Sequence, residues 1–446
     1  MKIPWSPPSA DAILGAAGPD SLRRIMDHMR HNSQETRYLH WDDLRHRKRA
    51  EGMTMAEEWA SLKLLRSGTS RVLPLVSTAG ERAQFVLTDE MSQMLMQVDK
   101  RCGGNVGALT PFTGDDRDRI LVSSLYEEAI TSSQLEGANT TRKAAKEMLR
   151  TNRTPKTHGE RMILNNFLAM DQIRADAATP LTLDSILEIH RLISAETLED
   201  ADDEGRFQLE DDTRVGVYWN TNGVDSLIHT PPSADLIPGR MSRLCDFANG
   251  VADSRFLHPV LRALTVHFWI GYDHPFVDGN GRLARTLFYR SMLGAGYWLA
   301  EFLSISSILR KRPSKYVRSY LLCETDGMDL TYFFIDQLQV VIRALDAFDQ
   351  YLARRRQELE TVSAILRGRS DLNHRQLSLL GRALRHPGEE WTIAGHQATH
   401  RVVYESARQD LLSLERLNLL DRFRRGQAYV YVAPFDLDRR LKEVSA

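Results

Sequence analysis

Cysteine is nearly missing from this chain. Cys102, Cys245 and Cys323 are the only three in 446 residues, and their odd number and wide spacing leave no disulfide framework and no metal-binding signature. Charge of one sign is missing too. Lys and Arg number 58 against 59 Asp and Glu, a formal net charge of −1 at pH 7, which argues against a chain dominated by nucleic-acid or membrane attraction. No run is long and apolar enough to span a bilayer. The opening Met1-Lys2-Ile3-Pro4-Trp5-Ser6 leads into Pro7, Pro8 and polar residues, with none of the apolar stretch of a secretory leader. The usual phosphate loops are also lacking, since no Gly-Lys-Ser/Thr ending and no three-glycine dinucleotide fingerprint frames the glycines that matter below. Length remains, enough for large cores and two or three domains, and a cytoplasmic location is expected.

What is there concentrates in His274 to Arg285, reading His-Pro-Phe-Val-Asp-Gly-Asn-Gly-Arg-Leu-Ala-Arg. Gly279, Asn280 and Gly281 follow a proline-containing turn and precede Leu283, Leu287, Phe288 and Met292 at helical spacing, which places the glycines at a helix start. Uncommitted amide groups there, with the positive end of the helix dipole behind them, form an anion site suited to phosphate. Arg282 and Arg285 are three apart and share a helix face, so both guanidiniums can converge on a polyphosphate. Asp278 offers a hard oxygen ligand for a magnesium ion bridging phosphates. His274 on the same loop can take a proton from an attacking hydroxyl as a neutral imidazole. The combination reads as transfer from a nucleotide to a hydroxyl, with Phe276 anchoring the loop in the core.

The segment resembles the signature of Fic-domain proteins, His-x-Phe-x-Asp/Glu-Gly-Asn-Gly-Arg-x-x-Arg, at every defined position. That resemblance implies transfer of AMP from ATP to a hydroxyl side chain of a protein target, with release of pyrophosphate. It makes His274 the general base, Asp278 the magnesium ligand, Gly279, Asn280, Gly281 and Arg282 the phosphate cradle, and Arg285 the contact to the terminal phosphate. Branches of the family that transfer phosphate or phosphocholine typically depart at the glycine or arginine positions, and this chain does not.

A second segment, Ser132-Ser133-Gln134-Leu135-Glu136-Gly137, is similar to the family's inhibitory motif Ser/Thr-x-x-x-Glu-Gly/Asn. It ends a helix expected over about 116–137, with Ile120, Leu121, Leu125, Ala129 and Ile130 on an apolar face and Gly137 as the stop. Ser132 and Glu136, four apart, share a face. By resemblance, Glu136 pairs with Arg285 and takes the guanidinium that would otherwise hold the terminal phosphate of ATP, so the α-phosphate sits badly for in-line attack. The same glutamate also permits the reverse activity, removal of AMP by an oriented water.

A third segment is expected to form a target-binding flap. Arg214 to Val217 and Ser226, Leu227, Ile228 and His229 flank a turn containing Asn220, Asn222, Gly223 and Asp225, the pattern of a hairpin with a loop longer than minimal. Thr230-Pro231-Pro232 resembles the Pro-Pro that follows the family's flap, although glycines are common there where this chain has Leu227 and Ile228. A strand edge beside the catalytic loop can pair with a target segment through backbone hydrogen bonds.

The expected fold class is mainly α. It comprises a Fic-like helical core at 111–357 with the hairpin flap, an α/β extension at 1–110, and a winged-helix-like module at 370–446. In the extension, helical patterns around Leu39 to Leu65 precede strand-like Arg71 to Leu75 and Gln84 to Leu87, with Trp41 and Trp59 as core anchors. In the core, periodicity marks helices at Met162 to Ile173, Leu183 to Ile193, Val260 to Ile270, Leu283 to Leu293 and Phe333 to Leu352, which makes His190 and His267 packed residues. Tyr316 and Tyr320 sit where the family has a tyrosine-containing helix near the adenine.

In the tail, helices at Leu377 to Leu384, Thr392 to Arg401 and Tyr404 to Leu420 precede a hairpin around Gly426 with a basic tip of Arg422, Arg424 and Arg425. A winged helix sets its third helix in the DNA major groove and its wing on phosphates, and His400, Arg401 and Arg408 would then face DNA. The reading is a self-inhibited adenylyltransferase using ATP and magnesium on target proteins and on itself. A homodimer and, through the tail, DNA stand as further candidate partners. The competing reading is a DNA- or partner-binding regulator whose core serves as a sensor.

Overall fold

The computed structural model describes residues 3–31, 37–48, 50–103, 114–221, 223–251, 255–367, 369, 371–385, 388–425 and 428–443. Two compact units divide the chain, residues 1–346 and 347–446. Both are built mainly from helices, with sheets of two or three strands.

The first unit opens with helices α1 (Ala10–Ala16), α2 (Pro19–His31), α3 (Trp41–Leu44) and α4 (Met55–Ser67), an antiparallel pair β1 (Arg71–Val76) and β2 (Arg82–Phe85), and α5 (Asp89–Val98). The polar opening is therefore helical, and the pattern expected over Leu39 to Leu65 is divided into α3 and α4. Helix α2 carries an apolar stripe, with Leu22, Ile25, Met26 and Met29 at helical spacing, but Ile25 is its one buried residue. Polar contacts hold it instead: Arg24 and Ser21 both reach Glu57, which is 5% exposed and closes a capping box with Thr54 at the start of α4. Trp59 is fully buried, and Trp41 packs partly buried against it.

This opening is fastened to the rest of the unit by buried polar contacts. Lys63 reaches Asp326 at 2.9 Å, Tyr38 donates to Asp329 at 2.5 Å, and the backbone of Gln84 exchanges hydrogen bonds with Met328 and Leu330. The unit continues with α6 (Gly114–Leu135), α7 (Arg142–Thr151), α8 (His158–Asp176) and α9 (Leu183–Ser194), the hairpin β3 (Val217–Thr221) and β4 (Val224–His229), then α10 (Ile237–Ala248), α11 (Pro259–Asp273), α12 (Asn280–Gly294), α13 (Ile305–Leu309), α14 (Pro313–Thr325) and α15 (Thr331–Arg367), which continues into the second unit. Threonine caps start α7, α8 and α9, and prolines stand in the first turn of α10, α11 and α14.

At the centre lie α11 and α12, packed against each other and flanked by α6, α8 and α9. Helix α11 is buried all round, from Val260 to Asp273 apart from Arg262 and Gly271, as its nearly continuous apolar sequence requires. Helix α12 buries even Arg282 and Arg285, at 0% and 1% exposure. Charges are placed in such a core only with partners, and those partners define the site.

The hairpin departs from the expected boundaries. Pairing runs from Val217↔His229 to Thr221↔Val224, so the strands carry through Trp219, Asn220 and Asp225, of which Asn220 and Asp225 were expected in the turn; Asn222 lies outside the described residues. Arg214 lies outside the strand because its side chain turns inward, as described below. Tyr218, Val224 and Leu227 stand exposed on the hairpin.

In the second unit, α16 (His374–Arg385), β5 (Glu390–Trp391), α17 (Ile393–His400), α18 (Tyr404–Arg416), β6 (Asp421–Arg425), β7 (Ala428–Val432) and α19 (Leu437–Glu443) surround a core of Leu379, Leu380, Leu411, Leu414, Leu420, Tyr431 and Leu441. The sheet order is β5-β7-β6. Asp410, buried on α18, accepts from Arg375, Asn373 and His396. The last of the three helices stops at Arg416, short of Leu420, because Asn418 turns left-handed at φ 59°. Arg408, Arg422 and Arg425 each pair with an acid, Glu405, Glu415 and Glu390, which offsets part of the positive charge of this face. Gly426 lies outside the described residues. Among the described residues no helix is long and apolar enough to cross a membrane.

Candidate active site

Helix α11 ends on His274, whose backbone turns left-handed at φ 46°, a conformation histidine tolerates better than most residues. Its amide donates to Ile270 O at 3.0 Å, and its Nδ1 lies 3.1 Å from Gly271 O. A carbonyl only accepts, so Nδ1 carries the proton and Nε2 is left as the basic nitrogen. Burial holds the His274 pKa below the ordinary histidine value, His229 and Arg214 act the same way, and the Gly271 carbonyl and Glu136 oppose them.

The last residue of α11 is tied down separately. Asp273, 0% exposed, takes a two-pronged contact from Arg240 at 2.6 and 2.8 Å and a third from Trp269 Nε1 at 3.0 Å. Arg240→Ala leaves this carboxylate buried without its cation, and a loss of about 3–5 kcal/mol is expected, measurable by urea unfolding.

Phe276 is fully buried and stacks on His190 with ring centroids 3.6 Å apart. Beyond it, Asn280 closes the turn: Phe276 N donates to its Oδ1 at 3.0 Å, and its Nδ2 donates back to Phe276 O at 2.8 Å. The Asn280 side chain thus locks from within the turn that is expected to cradle the phosphates. His190 supports the same turn from α9, with Nε2 2.8 Å from Asp278 O and Nδ1 accepting from Gly205 N at 3.1 Å. Gly279, at φ 83°, is the N-cap of α12, and no side chain caps that first turn, so its amides face outward as an anion site.

His190 and His267 are buried and neutral, as packed residues should be. Burial lowers their pKa values to about 4 and about 3, while the Asp278 carbonyl partly opposes the shift at His190. Because the folded pKa values lie below the ordinary value of 6.5, the unfolded chain binds more protons between them. Stability present above pH 6.5 is therefore lost as pH falls toward 4. The shifts at His190 and His267 correspond to roughly 3 and 5 kcal/mol, so urea midpoints at pH 7.5, 6 and 5 should fall progressively, and His190→Asn should flatten the decline.

The two arginines of α12 take different partners. Arg282 donates to Ile193 O at 2.8 Å and to Asp278 Oδ2 at 3.1 Å. Arg285 reaches α6 instead: Nε donates to Ser132 Oγ at 2.9 Å, and Nη2 donates to Ser132 O at 3.1 Å and to Glu136 Oε1 at 2.8 Å. Its Nη1 is buried with no hydrogen-bond partner among the described residues. Glu136 follows α6, and Gly137 turns the chain at φ 94°. A Cβ added at Gly281 would overlap the Glu136 carboxylate, 2.7 Å from its carbon. The carboxylate therefore occupies space above the uncapped turn that only a glycine leaves open.

Asp278 has its side chain 55% exposed beside this turn, and among the described residues no group of three or more His, Cys, Asp and Glu is placed to hold a metal ion unaided. One exposed carboxylate fits a magnesium ion that arrives with its nucleotide, because magnesium keeps waters and phosphate oxygens as its other ligands.

Tyr316 and Tyr320 of α14 lie half-buried beside α11. Tyr316 Oη is 2.8 Å from His267 Nε2 and 3.4 Å from Tyr320 Oη, and Tyr320 stacks on Phe268. Ser226 and Leu227 are exposed on β4, Ile228 is half-buried, and His229 is 7% exposed, pointing inward with Nε2 2.7 Å from Tyr272 O and Nδ1 2.8 Å from Glu324. His274, Gly281, Arg285, Ser132 and Glu136 thus meet around one space, whereas His229 belongs to the support behind it.

Residues 180–292 match the Fic/DOC family. This part of the chain is a Fic domain. Curated relatives named protein adenylyltransferase Fic include that of Drosophila willistoni, 34% identical over 137 residues, which are 30% of this chain and 24% of the relative. That of Nematostella vectensis is 33% identical over 119 residues, 26% of this chain and 24% of the relative. The chain thus spans about a quarter of the length of these relatives. A solved Fic family protein from Desulfovibrio desulfuricans G20 aligns with a TM-score of 0.48 and 17% identity over 78% of this chain and 97% of that one. The matched segment holds α9, the hairpin, α11 and the greater part of α12, and so the whole His274 to Arg285 loop of the Fic domain; Ser132 and Glu136 come from outside it.

Sequence reasoning did not find Arg214, Asp273, Arg240 or Glu128. Glu128, 1% exposed on α6, accepts from Ser304 and Ser306 at the start of α13. No local pattern marks any of them, since their partners are distant side chains or backbone atoms.

Proposed function

We propose that this chain is a self-inhibited protein adenylyltransferase that moves AMP from ATP to a Ser, Thr or Tyr hydroxyl of a protein target. The observation that carries this reading is the Glu136 carboxylate itself. It sits 2.8 Å from Arg285 over Gly281, where a phosphate group of a bound nucleotide would find the same guanidinium and the same helix start. An anionic group of the chain's own stands in for the substrate's anion, which is what inhibition by competition requires.

With Glu136 withdrawn, Arg285 offers Nη1 and Nη2 to the terminal phosphate, and the amides of Gly281 and Arg282 offer hydrogen bonds to the oxygens further in. Asp278 would hold magnesium, which neutralises phosphate charge when bound. Arg282, anchored on Ile193 O and Asp278, keeps that carboxylate in place. His274 Nε2 takes the proton of the target hydroxyl as its oxygen bonds to the α-phosphorus. The bond from that phosphorus to the bridging oxygen breaks, and pyrophosphate leaves with the electron pair. The exposed hairpin edge supports pairing with an extended segment of the target.

The test uses ATP labelled at the α- or at the γ-phosphate, with magnesium and the full chain. Covalent label on protein is expected from the α position alone. Label transferred from the γ position would identify a kinase and overturn the reading.

A further inference from the structure

The helix that ends at the base has its final carbonyls satisfied in an unusual way. The last four carbonyls of a helix lack partners within it, and for α11 these are Ile270, Gly271, Tyr272 and Asp273. His274 itself takes the first two, through its amide and its Nδ1. The other two are taken by the hairpin: His229 Nε2 donates to Tyr272 O at 2.7 Å, and Arg214 Nη2 donates to Asp273 O. The carbonyls that follow are held from the same side. Arg214 Nη1 donates to His274 O at 2.7 Å, and Gln208 N donates to Pro275 O at 2.9 Å.

Arg214 contributes more than the rest. Its Nη1 also donates to Gln208 Oε1, and its Nε donates to Pro232 O at 2.7 Å. One guanidinium therefore joins the segment entering the hairpin, the chain leaving it, and the two carbonyls on either side of the base. All four acceptors are neutral, so nothing here is an ion pair. A planar fork of fixed geometry suits this arrangement, and a lysine cannot reproduce it. A cation at a helix C-terminus also matches the negative end of the helix dipole.

We propose that Arg214 is a positioning residue, which holds the hairpin and the left-handed turn at His274 as one rigid piece, so that a target docked on the hairpin meets Nε2 in line. The proposal rests on the adenylyltransferase reading above. Arg214 reaches the reacting atoms only through His274 and the hairpin, and none of its hydrogen bonds goes to the Gly279 to Arg285 segment.

Arg214→Ala and Arg214→Lys are placed in the full chain carrying Glu136→Gly. Three quantities are read: the initial rate of self-labelling at saturating α-labelled ATP, the affinity for a non-hydrolysable ATP analogue, and the NMR titration of the His274 ring. In both variants the rate should fall on the order of 100-fold, the size expected for a displacement of about 1 Å at the reacting atoms. Nucleotide affinity should stay within about twofold, since the anion site is untouched. His274 should titrate at higher pH in Arg214→Ala, where a neighbouring positive charge is lost, and shift less in Arg214→Lys, which keeps it. A damaged fold would instead lower rate and nucleotide affinity together, and that result, like an unchanged rate in a folded Arg214→Ala, would overturn the proposal. Should Arg214→Ala not fold, Arg214→Lys supplies the rate and affinity comparison. If the Glu136→Gly parent takes no label at all, the functional reading fails by itself. The His274 ring resonances in Arg214→Lys then decide the positioning role: displacement although the charge is kept supports it, and unmoved resonances remove it.

Discussion

Glu136→Gly should label itself with AMP roughly 10- to 100-fold faster than the parent chain. The size follows from the contact that is lost. A hydrogen bond between charged groups contributes about 1.5–3 kcal/mol, and each 1.4 kcal/mol is a factor of ten in rate. The lower end allows for the partial exposure of Glu136, whose side chain is 29% accessible while Arg285 is 1%, and for the screening that follows. Glu136→Gln tests the charge separately. It keeps the shape over Gly281 but gives Arg285 a weaker partner, so its rate should fall between the two.

Stability should move the opposite way, because Arg285 keeps Ser132 as its acceptor but loses its carboxylate in a buried place. ATP with magnesium should then raise the melting temperature of Glu136→Gly more than that of the parent, as a ligand that binds only the folded chain does. Equal labelling rates for parent and Glu136→Gly would remove the inhibitory assignment.

The sequence made the His274 to Arg285 loop legible because its signals are local. Glycines at a helix start, two arginines on one face and a histidine before a proline need no knowledge of the rest of the chain. The partner of Arg285 is different in kind. Glu136 is 149 positions away, and only the family resemblance, with its Ser132-x-x-x-Glu136 spacing, joined the two.

Where local signals failed, the stabilising contacts were long-range or made to backbone. Helix α2 does place Leu22, Ile25, Met26 and Met29 at helical spacing, but it buries only Ile25 and is held by Glu57, a partner distant in the chain. Asn280 was assigned to the phosphate-cradling turn by resemblance; that its side chain closes this turn through both backbone groups of Phe276 was not visible. Arg214 is invisible for the same reason: its acceptors are neutral atoms, three of them main-chain carbonyls, and no residue type in the sequence announces a carbonyl without a partner. The hairpin was placed correctly in the chain but given too long a loop, because Asn220 and Asp225 read as turn residues. They pair across the strands and share a side-chain hydrogen bond of 2.7 Å.

His274→Ala in the Glu136→Gly background should lower the labelling rate by about 10²- to 10⁴-fold, the range contributed by a positioned general base, with ATP affinity unchanged. The alanine variant has a confounding loss. Its backbone must hold φ near 46° without a side chain suited to it, and Gly271 O loses the Nδ1 donor, which together lower stability by roughly 1–3 kcal/mol. His274→Asn separates the two effects. Asparagine tolerates the left-handed turn and carries an N–H for Gly271 O, yet no basic nitrogen, so it should be nearly as stable as the parent and as inactive as alanine.

The pH dependence supplies the sign. Because the His274 pKa lies below the ordinary histidine value, for the burial reason given above, the base is neutral at pH 7. Activity of Glu136→Gly should be level there and fall only below about pH 6.5, the ordinary histidine pKa. In either His274 variant the residual rate should lose that acid limb. A limb that persists without His274 would assign the proton to another group, and labelling at the parental rate would remove His274 from the chemistry altogether.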